Sequence, residues 1–336
     1  MKSKMSNELL QKVIDTTTVG ADNGGLLKPE QSNRFIDYMF DATILTRTAR
    51  TIRMRADTTE IDKVGVGERL MVLATEGAST GQTDRGATFT KVSLTTKKLR
   101  LDWELSSESL EDNIEGADLE DHIARLMATQ AGNDVEDLAI NGDTTLSSNA
   151  LLKAFNGFRK LALTGGFVVD AGGNTISKAI FNSALKKMPR KYKQRRNQLR
   201  FFTGSNLVQD YLYNLTTIGN SGTPEDIASS ILRGNPAAPD GAPGGVIPFA
   251  FGIPVVEVPL IDETRTGDYS GATGSHGEVH LTFPQNFIIG VKRDVTVYRE
   301  FKPKKDTIEY TLYIRVGVAV ENLDSFVVVK NVKVAS

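Results

Sequence analysis

His276 and His280 are the first residues whose types and spacing could support chemistry. They stand four positions apart in the segment HGEVH. On a β-strand this spacing places both imidazoles on one face, and imidazole is a common zinc ligand. No third ligand is evident beside them, so we favour histidines without a metal over a metal site.

A second group consists of the carboxylates Asp134, Glu136 and Asp137. A pair of carboxylates can supply the general acid and base of a hydrolase. Nothing in the sequence places these acids in a pocket, and acids in the last turns of a helix usually form a solvated face. We therefore expect a solvated face and no enzyme. A carboxylate-based hydrolase using Asp134 and Glu136 is the alternative from a different functional class.

The third group is a basic run from Lys186 to Arg200, which holds eight basic residues and one flanking aromatic residue, Tyr192. Such a run could contact nucleic acid. The formal net charge of the chain is −1, which argues against nucleic-acid binding driven by overall charge. A solvated surface, or one that forms salt bridges between subunits, is the favoured interpretation.

Motifs for cofactor chemistry are absent from the sequence. It contains no GxxxxGK[ST], no GxGxxG after a strand, no HExxH and no GxSxG. The absence of cysteine excludes disulfides and thiolate nucleophiles. Hydrophobic content of 40% and charged content of 24% are typical of a globular protein, and no apolar run is long enough to cross a membrane. We expect no metal, no cofactor and no membrane partner.

The acidic group lies within the strongest helical signal of the chain, residues 118–143. Asp118 can cap the first turn, and Gly142 can end the helix in a left-handed conformation. About twenty-two helical residues make a rod of roughly 33 Å, which we call the spine helix. Its apolar residues recur every three or four positions, as in a helix with one buried stripe: Leu119, Ile123, Leu126, Met127, Ala131, Val135, Leu138 and Ala139.

Residues 51–105 precede the spine helix, and their pattern of apolar and polar residues predicts an extended β-hairpin. The polar, glycine-rich segment TEGASTGQTDRGAT forms its tip, and the apolar alternation changes phase at Lys97-Lys98. A two-stranded arm of this length has no core of its own, so we expect it to lie against another copy of the protein. The alternative is that both segments belong to a larger sheet within the subunit.

A long strand is predicted near the end of the chain. Every second residue from Ile308 to Val320 is apolar, which is typical of a strand with one buried face. A long helix laid on a long antiparallel sheet buries both apolar faces, so we expect an α+β fold. Residues 150–285 predict shorter helices and strands separated by glycine- and proline-rich loops.

These segments, in this order, resemble the major capsid proteins of tailed bacteriophages, which share the Hong Kong ninety-seven fold. The likeness covers roughly residues 20–332. The most specific stretch comprises Ala74-Thr-Glu76-Gly77, Asp84, Phe89, Leu94, Lys98-Leu99 and Ser106-Ser-Glu108-Ser-Leu110-Glu-Asp112. Further similar segments are Gly24-Gly25-Leu-Leu-Lys-Pro29-Glu30, Ala139-Ile-Asn-Gly142-Asp143, Leu185-Lys-Lys-Met-Pro189-Arg-Lys-Tyr192, Gly252-Ile-Pro254-Val255 and the strand around Arg315.

The resemblance implies a Hong Kong ninety-seven-like division of the chain. Residues 1–50 would be an N-terminal arm with a short helix, and residues 51–105 the extended hairpin loop. A peripheral domain, with the spine helix and the long sheet, would combine residues 106–149 with 286–336. Residues 150–285 would be the axial domain.

The resemblance also implies a structural protein that self-assembles into hexamers and pentamers of an icosahedral shell around double-stranded DNA. Its partners would be other copies of itself, a portal protein, the packaged DNA by weak contact and, in some relatives, a decoration protein. Because the N-terminal arm starts almost at once, we expect a separate scaffolding protein. The subunit would be made in the bacterial host cytoplasm and end in the virion capsid.

Contacts between subunits are expected at Glu76, Gly77, Asp84, Arg85, Lys97, Lys98, Arg190, Arg195 and Arg196. Some family members crosslink a hairpin lysine to an asparagine of a neighbour, but no motif places such a pair here and we do not predict crosslinking. The runner-up within this fold is an encapsulin-like compartment that encloses an enzyme. The length of the chain and its long N-terminal arm disfavour it.

Overall fold

The computed structural model describes residues 43–65, 88–106, 118–147, 149–219, 248–292 and 296–335. Most of the expected N-terminal arm, the hairpin tip and the proline-rich loop at 233–245 lie outside these ranges.

The described chain contains six helices and thirteen strands, with most of the strands grouped before the spine helix and after the last helix. The helices are α1 (Leu45–Thr48), α2 (Asp118–Asn141), α3 (Phe158–Gly165), α4 (Lys178–Lys187), α5 (Arg190–Lys193) and α6 (Ser205–Gly219). The strands are β1 (Arg50–Met54), β2 (Thr58–Gly65), β3 (Thr88–Thr95), β4 (Lys97–Ser106), β5 (Phe167–Asp170), β6 (Arg200–Thr203), β7 (Phe249–Ala250), β8 (Ile253–Glu257), β9 (His276–Thr282), β10 (Phe287–Lys292), β11 (Thr296–Lys302), β12 (Thr307–Val320) and β13 (Val327–Lys333).

Helix α2 is the predicted spine helix, with 24 residues and a length of about 36 Å. Ala128, Ala131 and Val135 are buried in its packed face. The prediction that Leu126 belongs to the buried stripe is wrong, because its side chain is 56% exposed. The apolar stripe therefore extends beyond the part that this subunit covers.

Gly142 follows the last residue of the spine helix, as predicted, but for a different reason. Its backbone is not left-handed. A Cβ at this position would lie 2.5 Å from the carbonyl oxygen of Leu138 and 2.6 Å from that of Phe155. Glycine is needed here because another part of the backbone passes within contact distance of the helix end.

The predicted long strand is β12, which organises a five-stranded sheet. The strand order is β1-β10-β12-β11, and β4 also pairs with β12. The spine helix covers one face of this sheet, and the buried side chains of β12 that meet it are Tyr310, Leu312, Ile314 and Val316. This packing buries both apolar faces, as expected for an α+β fold.

The hairpin interpretation of residues 51–105 is too long at both ends. Among the described strands of this segment, only β2 and β3 pair with each other. Strand β1 runs parallel to β10, and β4 runs antiparallel to β12, so the alternative of a larger sheet holds for these two strands. The predicted phase change marks this transition: β3 ends at Thr95, and the Thr96 N–H donates to the Asp57 carbonyl oxygen at 2.9 Å.

A six-stranded sheet forms the second half of the fold, in the order β5-β13-β9-β6-β8-β7. Helices α4 and α6 contribute to its apolar cluster. The resemblance assigns residues 327–333 to the peripheral domain, yet as β13 they pair with β5 and β9 of the six-stranded sheet. The reason is the 3-10 turn at Leu323–Ser325, which redirects the chain after β12. The division into domains is otherwise a prediction.

Candidate assembly surfaces

Glu136 is a buried anchor, and the prediction of a solvated acidic face is wrong at this residue. Its side chain is 2% exposed. Its two oxygens accept hydrogen bonds from the backbone N–H groups of Leu45 at 2.7 Å and Ile44 at 3.1 Å. Burial raises the pKa of Glu136, and these hydrogen bonds oppose that rise. Asp134, by contrast, accepts a hydrogen bond from Gln130 at 2.8 Å on the helix surface.

Both oxygens of Glu136 are therefore engaged in holding α1 against the spine helix. A hydrolase needs a carboxylate that faces a substrate. The structure gives Glu136 a positioning role at the point where the N-terminal part of the chain meets the spine.

The two histidines lie buried on β9, on either side of Glu278. His276 Nε2 is 2.9 Å from the Tyr269 hydroxyl oxygen, and His280 Nε2 is 3.3 Å from Glu278 Oε2. Arg159 donates to both carboxylate oxygens of Glu278, with its Nε 2.8 Å from each. Within the described ranges, no group of three His, Asp or Glu side chains is arranged to hold a metal ion.

Burial opposes the ionisation of Glu278, but the His280 hydrogen bond and the Arg159 guanidinium outweigh it. The pKa of Glu278 falls to about 2. Because Arg159 lies on α3 and Glu278 on β9, this ion pair ties a helix to the six-stranded sheet. No sequence pattern indicated this ion pair, since the two residues are 119 positions apart.

A cleft of about 450 Å³ lies beside this ion pair. Each cation that lines the cleft already has an acidic partner: Arg159 pairs with Glu278, Arg265 with Asp262 at 3.2 Å, and Lys330 with Asp268 at 2.6 Å. The cleft is consequently a weak candidate for a charged ligand.

The β2–β3 hairpin is seated on the face of the five-stranded sheet opposite the spine helix. Leu94 packs there with Met54, Ile288 and Ala319. Gly290 and Gly317 face each other across β10 and β12.

These two glycines form a flat floor for the hairpin base. A Cβ at Gly290 would lie 2.6 Å from Leu94 Cδ2, and one at Gly317 would clash with the Thr95 carbonyl oxygen. Farther along β3 the packing stops, because Phe89 is 74% exposed. The hairpin thus has a fixed base and an outer part that presents apolar surface to solvent.

Lys97 and Lys98 begin β4, and both are exposed. The Lys98 Nζ lies 3.8 Å from the centre of the Tyr313 ring, a cation–π distance. Neither lysine forms an ion pair with the described part of the chain. Both lie on the five-stranded sheet.

The basic run covers the end of α4, helix α5, a 3-10 turn at Arg196–Gln198 and the first residue of β6. Arg190, Arg195 and Arg196 are all exposed. No residue of the run forms an ion pair with another described residue. Tyr192 fixes the run in place, since its hydroxyl accepts a hydrogen bond from Asn322 Nδ2 at 2.5 Å.

The predicted contact residues thus fall on separate surfaces. Lys97 and Lys98 lie on the five-stranded sheet, and the three arginines flank the six-stranded sheet. Glu76, Gly77, Asp84 and Arg85 lie outside the described residues. Of the helices that are described, none is both long and apolar enough to cross a membrane.

The model of the phage capsid family matches residues 23–331. A putative prophage capsid protein, YqbE, of Bacillus subtilis (strain 168) is 28% identical over 298 residues, covering 87% of this chain and 88% of the relative.

Solved structures share the fold at low sequence identity. The procapsid of satellite phage P4, solved with its size determination (Sid) protein, matches with a TM-score of 0.61, 15% identity and coverage of 100% of this chain and 99% of that one. The holo-SrpI encapsulin complex of Synechococcus elongatus PCC 7942 matches with a TM-score of 0.54, 9% identity and coverage of 99% and 96%. These matches confirm the predicted Hong Kong ninety-seven-like fold.

Proposed function

From the premise that the chain belongs to the phage capsid family, we propose that it self-assembles into the hexamers and pentamers of an icosahedral shell enclosing double-stranded DNA. The observation that carries this proposal is the β2–β3 hairpin. Its base is packed on the glycine floor, and Phe89 beyond the base is exposed. An apolar side chain on a projecting two-stranded arm gains burial only against another molecule.

The proposed contacts between subunits involve the hairpin and two charged surfaces. Glu76, Gly77, Asp84 and Arg85 lie in the sequence between β2 and β3, outside the described residues. Lys97 and Lys98 belong to β4, and Arg190, Arg195 and Arg196 to the basic run. Each contact is weak alone, and many such contacts in a closed symmetric body make a stable particle.

Further partners follow from this role. We propose a separate scaffolding protein during assembly, a portal protein at one vertex and weak contact with the packaged DNA. A net charge of −1 supports weak contact, since an inner wall that bound phosphate tightly would hinder both filling and release. The subunit would be made in the host cytoplasm and reside in the virion capsid, where a decoration protein could bind the outer surface.

An encapsulin-like compartment is the second candidate, because an encapsulin shares the fold. The match to a prophage capsid protein over most of both chains favours the phage shell. Nuclease-protected double-stranded DNA recovered from purified particles supports the phage shell. A protein cargo without DNA would support the compartment instead.

Deletion of residues 76–86 tests the assembly role of the hairpin. We expect a folded, soluble subunit that fails to form shells, because the hairpin tip packs between subunits. Sucrose-gradient sedimentation and negative-stain microscopy would compare the deletion with the wild-type protein. Normal shells from the deletion variant would contradict the proposal that the hairpin forms contacts between subunits.

A further inference from the structure

Two of the proposed assembly surfaces, the hairpin and the basic run, meet at the side chain of Asn322. Its Oδ1 accepts a hydrogen bond from Lys63 Nζ at 2.7 Å, and its Nδ2 donates to the Tyr192 hydroxyl oxygen at 2.5 Å. Lys63 lies on β2 of the hairpin, and Tyr192 lies on α5 within the basic run. The hairpin and the basic run are therefore only one amide group apart at this point.

The backbone of Asn322 is fixed at the junction of the two sheets. Asn322 lies between β12 and β13, where the chain leaves the five-stranded sheet for the six-stranded one. Its N–H donates to Asn286 Oδ1 at 2.6 Å, and its carbonyl oxygen accepts from Asn286 Nδ2 at 3.0 Å. Asn286 is buried between β9 and β10, where the chain passes in the opposite direction. Two crossings between the sheets thus hold Asn322 in place.

The donors and acceptors fix the orientation of the Asn322 amide. A lysine ammonium group only donates hydrogen bonds, so Oδ1 has to face Lys63 and Nδ2 has to face Tyr192. The bond from Lys63 has a charged donor, and such bonds are stronger than those between neutral groups. The amide is consequently a defined point of attachment for the hairpin.

The hairpin face that meets its own subunit changes from apolar to polar along β2 and β3. Leu94 is fully buried at the base, and Ile61 and Val92 pack half-buried beside it. Lys63 comes next on this face, and it bonds to Asn322. A two-stranded hairpin has little stability of its own, so this bond helps to fix the direction of its outer part.

Phe89 lies on the opposite face of the hairpin at the same level. Lys63 pairs with Thr90, the residue beside Phe89 on β3. Side chains of successive strand residues point to opposite faces, and the exposed Phe89 therefore faces away from the attachment at Lys63. Any change in the direction of the hairpin at Lys63 also moves the Phe89 ring.

We propose that Asn322 is a positioning residue for assembly, which fixes the direction of the outer hairpin relative to the basic run. The inference rests on the proposed shell function and deepens it, since it identifies what orients two of the proposed contact surfaces. Copies close into rings and shells only when the rotation between neighbours allows closure, and open assemblies form when it does not. A hairpin that swings relative to the basic run would vary this rotation from copy to copy.

Substitutions at both ends of the bond test its role in assembly. Lys63→Met keeps an unbranched side chain and removes the donor, and Asn322→Ala removes the acceptor. Both variants should lose closed shells in favour of open or irregular assemblies in negative-stain micrographs. Lys63→Arg retains a donor for Asn322 and should form closed shells. The matched control Lys91→Met removes a lysine that bonds to Glu60 within the hairpin, and it should also form closed shells.

A distance measurement on the unassembled subunit tests the attachment directly. The chain has no cysteine, so Asp62→Cys and Glu257→Cys provide two specific sites for spin labels. Both positions are exposed, one on β2 and one at the end of β8. Double electron–electron resonance should give a narrow distance distribution in the otherwise wild-type chain and with Lys91→Met. It should give a broader distribution with Lys63→Met or Asn322→Ala.

The outcomes separate a positioning role from a merely stabilising one. A lower urea midpoint for Lys63→Met with an unchanged distance distribution would overturn the inference, as would closed shells from this variant at the wild-type yield. If Asn322→Ala does not fold, Lys63→Met decides alone. Failure of the wild-type chain to form shells would instead defeat the proposed function, while the distance distributions would still show whether Asn322 orients the hairpin.

Discussion

Replacing Glu278 with glutamine tests the buried ion pair that ties α3 to β9. The carboxylate accepts two hydrogen bonds from Arg159 and lies beside His280. The variant keeps the size of the side chain but removes its charge. The Arg159 guanidinium is then left largely buried without a counter-charge, and this is the costly result of breaking a buried ion pair.

The expected cost can be worked out from the pKa of Glu278. The fold lowers this pKa from 4.5 to about 2. Each pKa unit corresponds to about 1.36 kcal/mol, so ionisation of Glu278 stabilises the folded state by roughly 3 kcal/mol at neutral pH. Removal of one partner from buried ion pairs costs about 3–5 kcal/mol. The two estimates agree, and we expect E278Q to lower the free energy of unfolding by about 3 kcal/mol.

The pH dependence has a definite sign. The folded-state pKa of Glu278 lies below its unfolded value, so its contribution is complete well above pH 4.5 and is lost as the pH falls toward about 2. The difference between wild type and E278Q should therefore shrink to under half of its neutral value at about pH 3.

Urea unfolding of the unassembled subunit, followed by circular dichroism at both pH values, measures these differences. A matched control is Glu104→Gln, whose carboxylate is exposed and lies 3.7 Å from Lys305. It should change the free energy of unfolding by about 0.5 kcal/mol or less. A cost below about 1 kcal/mol for E278Q, or one that does not decline with pH, would refute the assignment of Glu278 as a buried ionised anchor.

Three further variants test other parts of the fold and its assembly surface. Glu136→Gln should lower the free energy of unfolding by about 2 kcal/mol, because the amide replaces a carboxylate that holds two backbone N–H groups. The control Asp134→Asn should lower it by about 0.5 kcal/mol or less. Equal urea midpoints for the two variants would contradict this. Gly317→Ala should cost about 1–3 kcal/mol in urea unfolding, since the added methyl group clashes with the Thr95 carbonyl oxygen; a neutral effect would mean that the hairpin base shifts freely. Phe89→Ser should leave the unfolding midpoint of the subunit unchanged and reduce the yield of shells on a sucrose gradient, and an unchanged yield would show that Phe89 remains exposed after assembly.

The long elements of the fold could be predicted because their periodicity extends over many residues. The spine helix and β12 each repeat one pattern long enough to fix type, approximate bounds and buried face. The error at Leu126 shows the limit of this reasoning. Apolar spacing indicates which residues prefer burial, and it does not say whether the covering surface comes from the same subunit.

Pairings between distant segments could not be predicted from the sequence. Alternation identified β1 and β4 as strands but carried no information on their partners, β10 and β12. Glu136 was misassigned for the same reason, since the backbone that covers it comes from residues about ninety positions earlier. The Arg159–Glu278 ion pair likewise depends on a fold that brings α3 onto β9.

The expected contact residues have a different status. Lys97, Lys98, Arg190, Arg195 and Arg196 are exposed and form no ion pair with other described residues. Their partners in another subunit are a prediction. The predicted hairpin was too long at both ends, and the change of sheet at Thr96 corrects its C-terminal bound.

The most direct test of the central claim is a cryo-electron microscopy reconstruction of particles assembled from the purified chain. We expect a closed icosahedral shell in which the β2–β3 hairpin lies over a neighbouring subunit and buries Phe89 against it. A reconstruction with every hairpin folded back on its own subunit and Phe89 in solvent would contradict the proposed function, as would a failure to form closed particles under all assembly conditions.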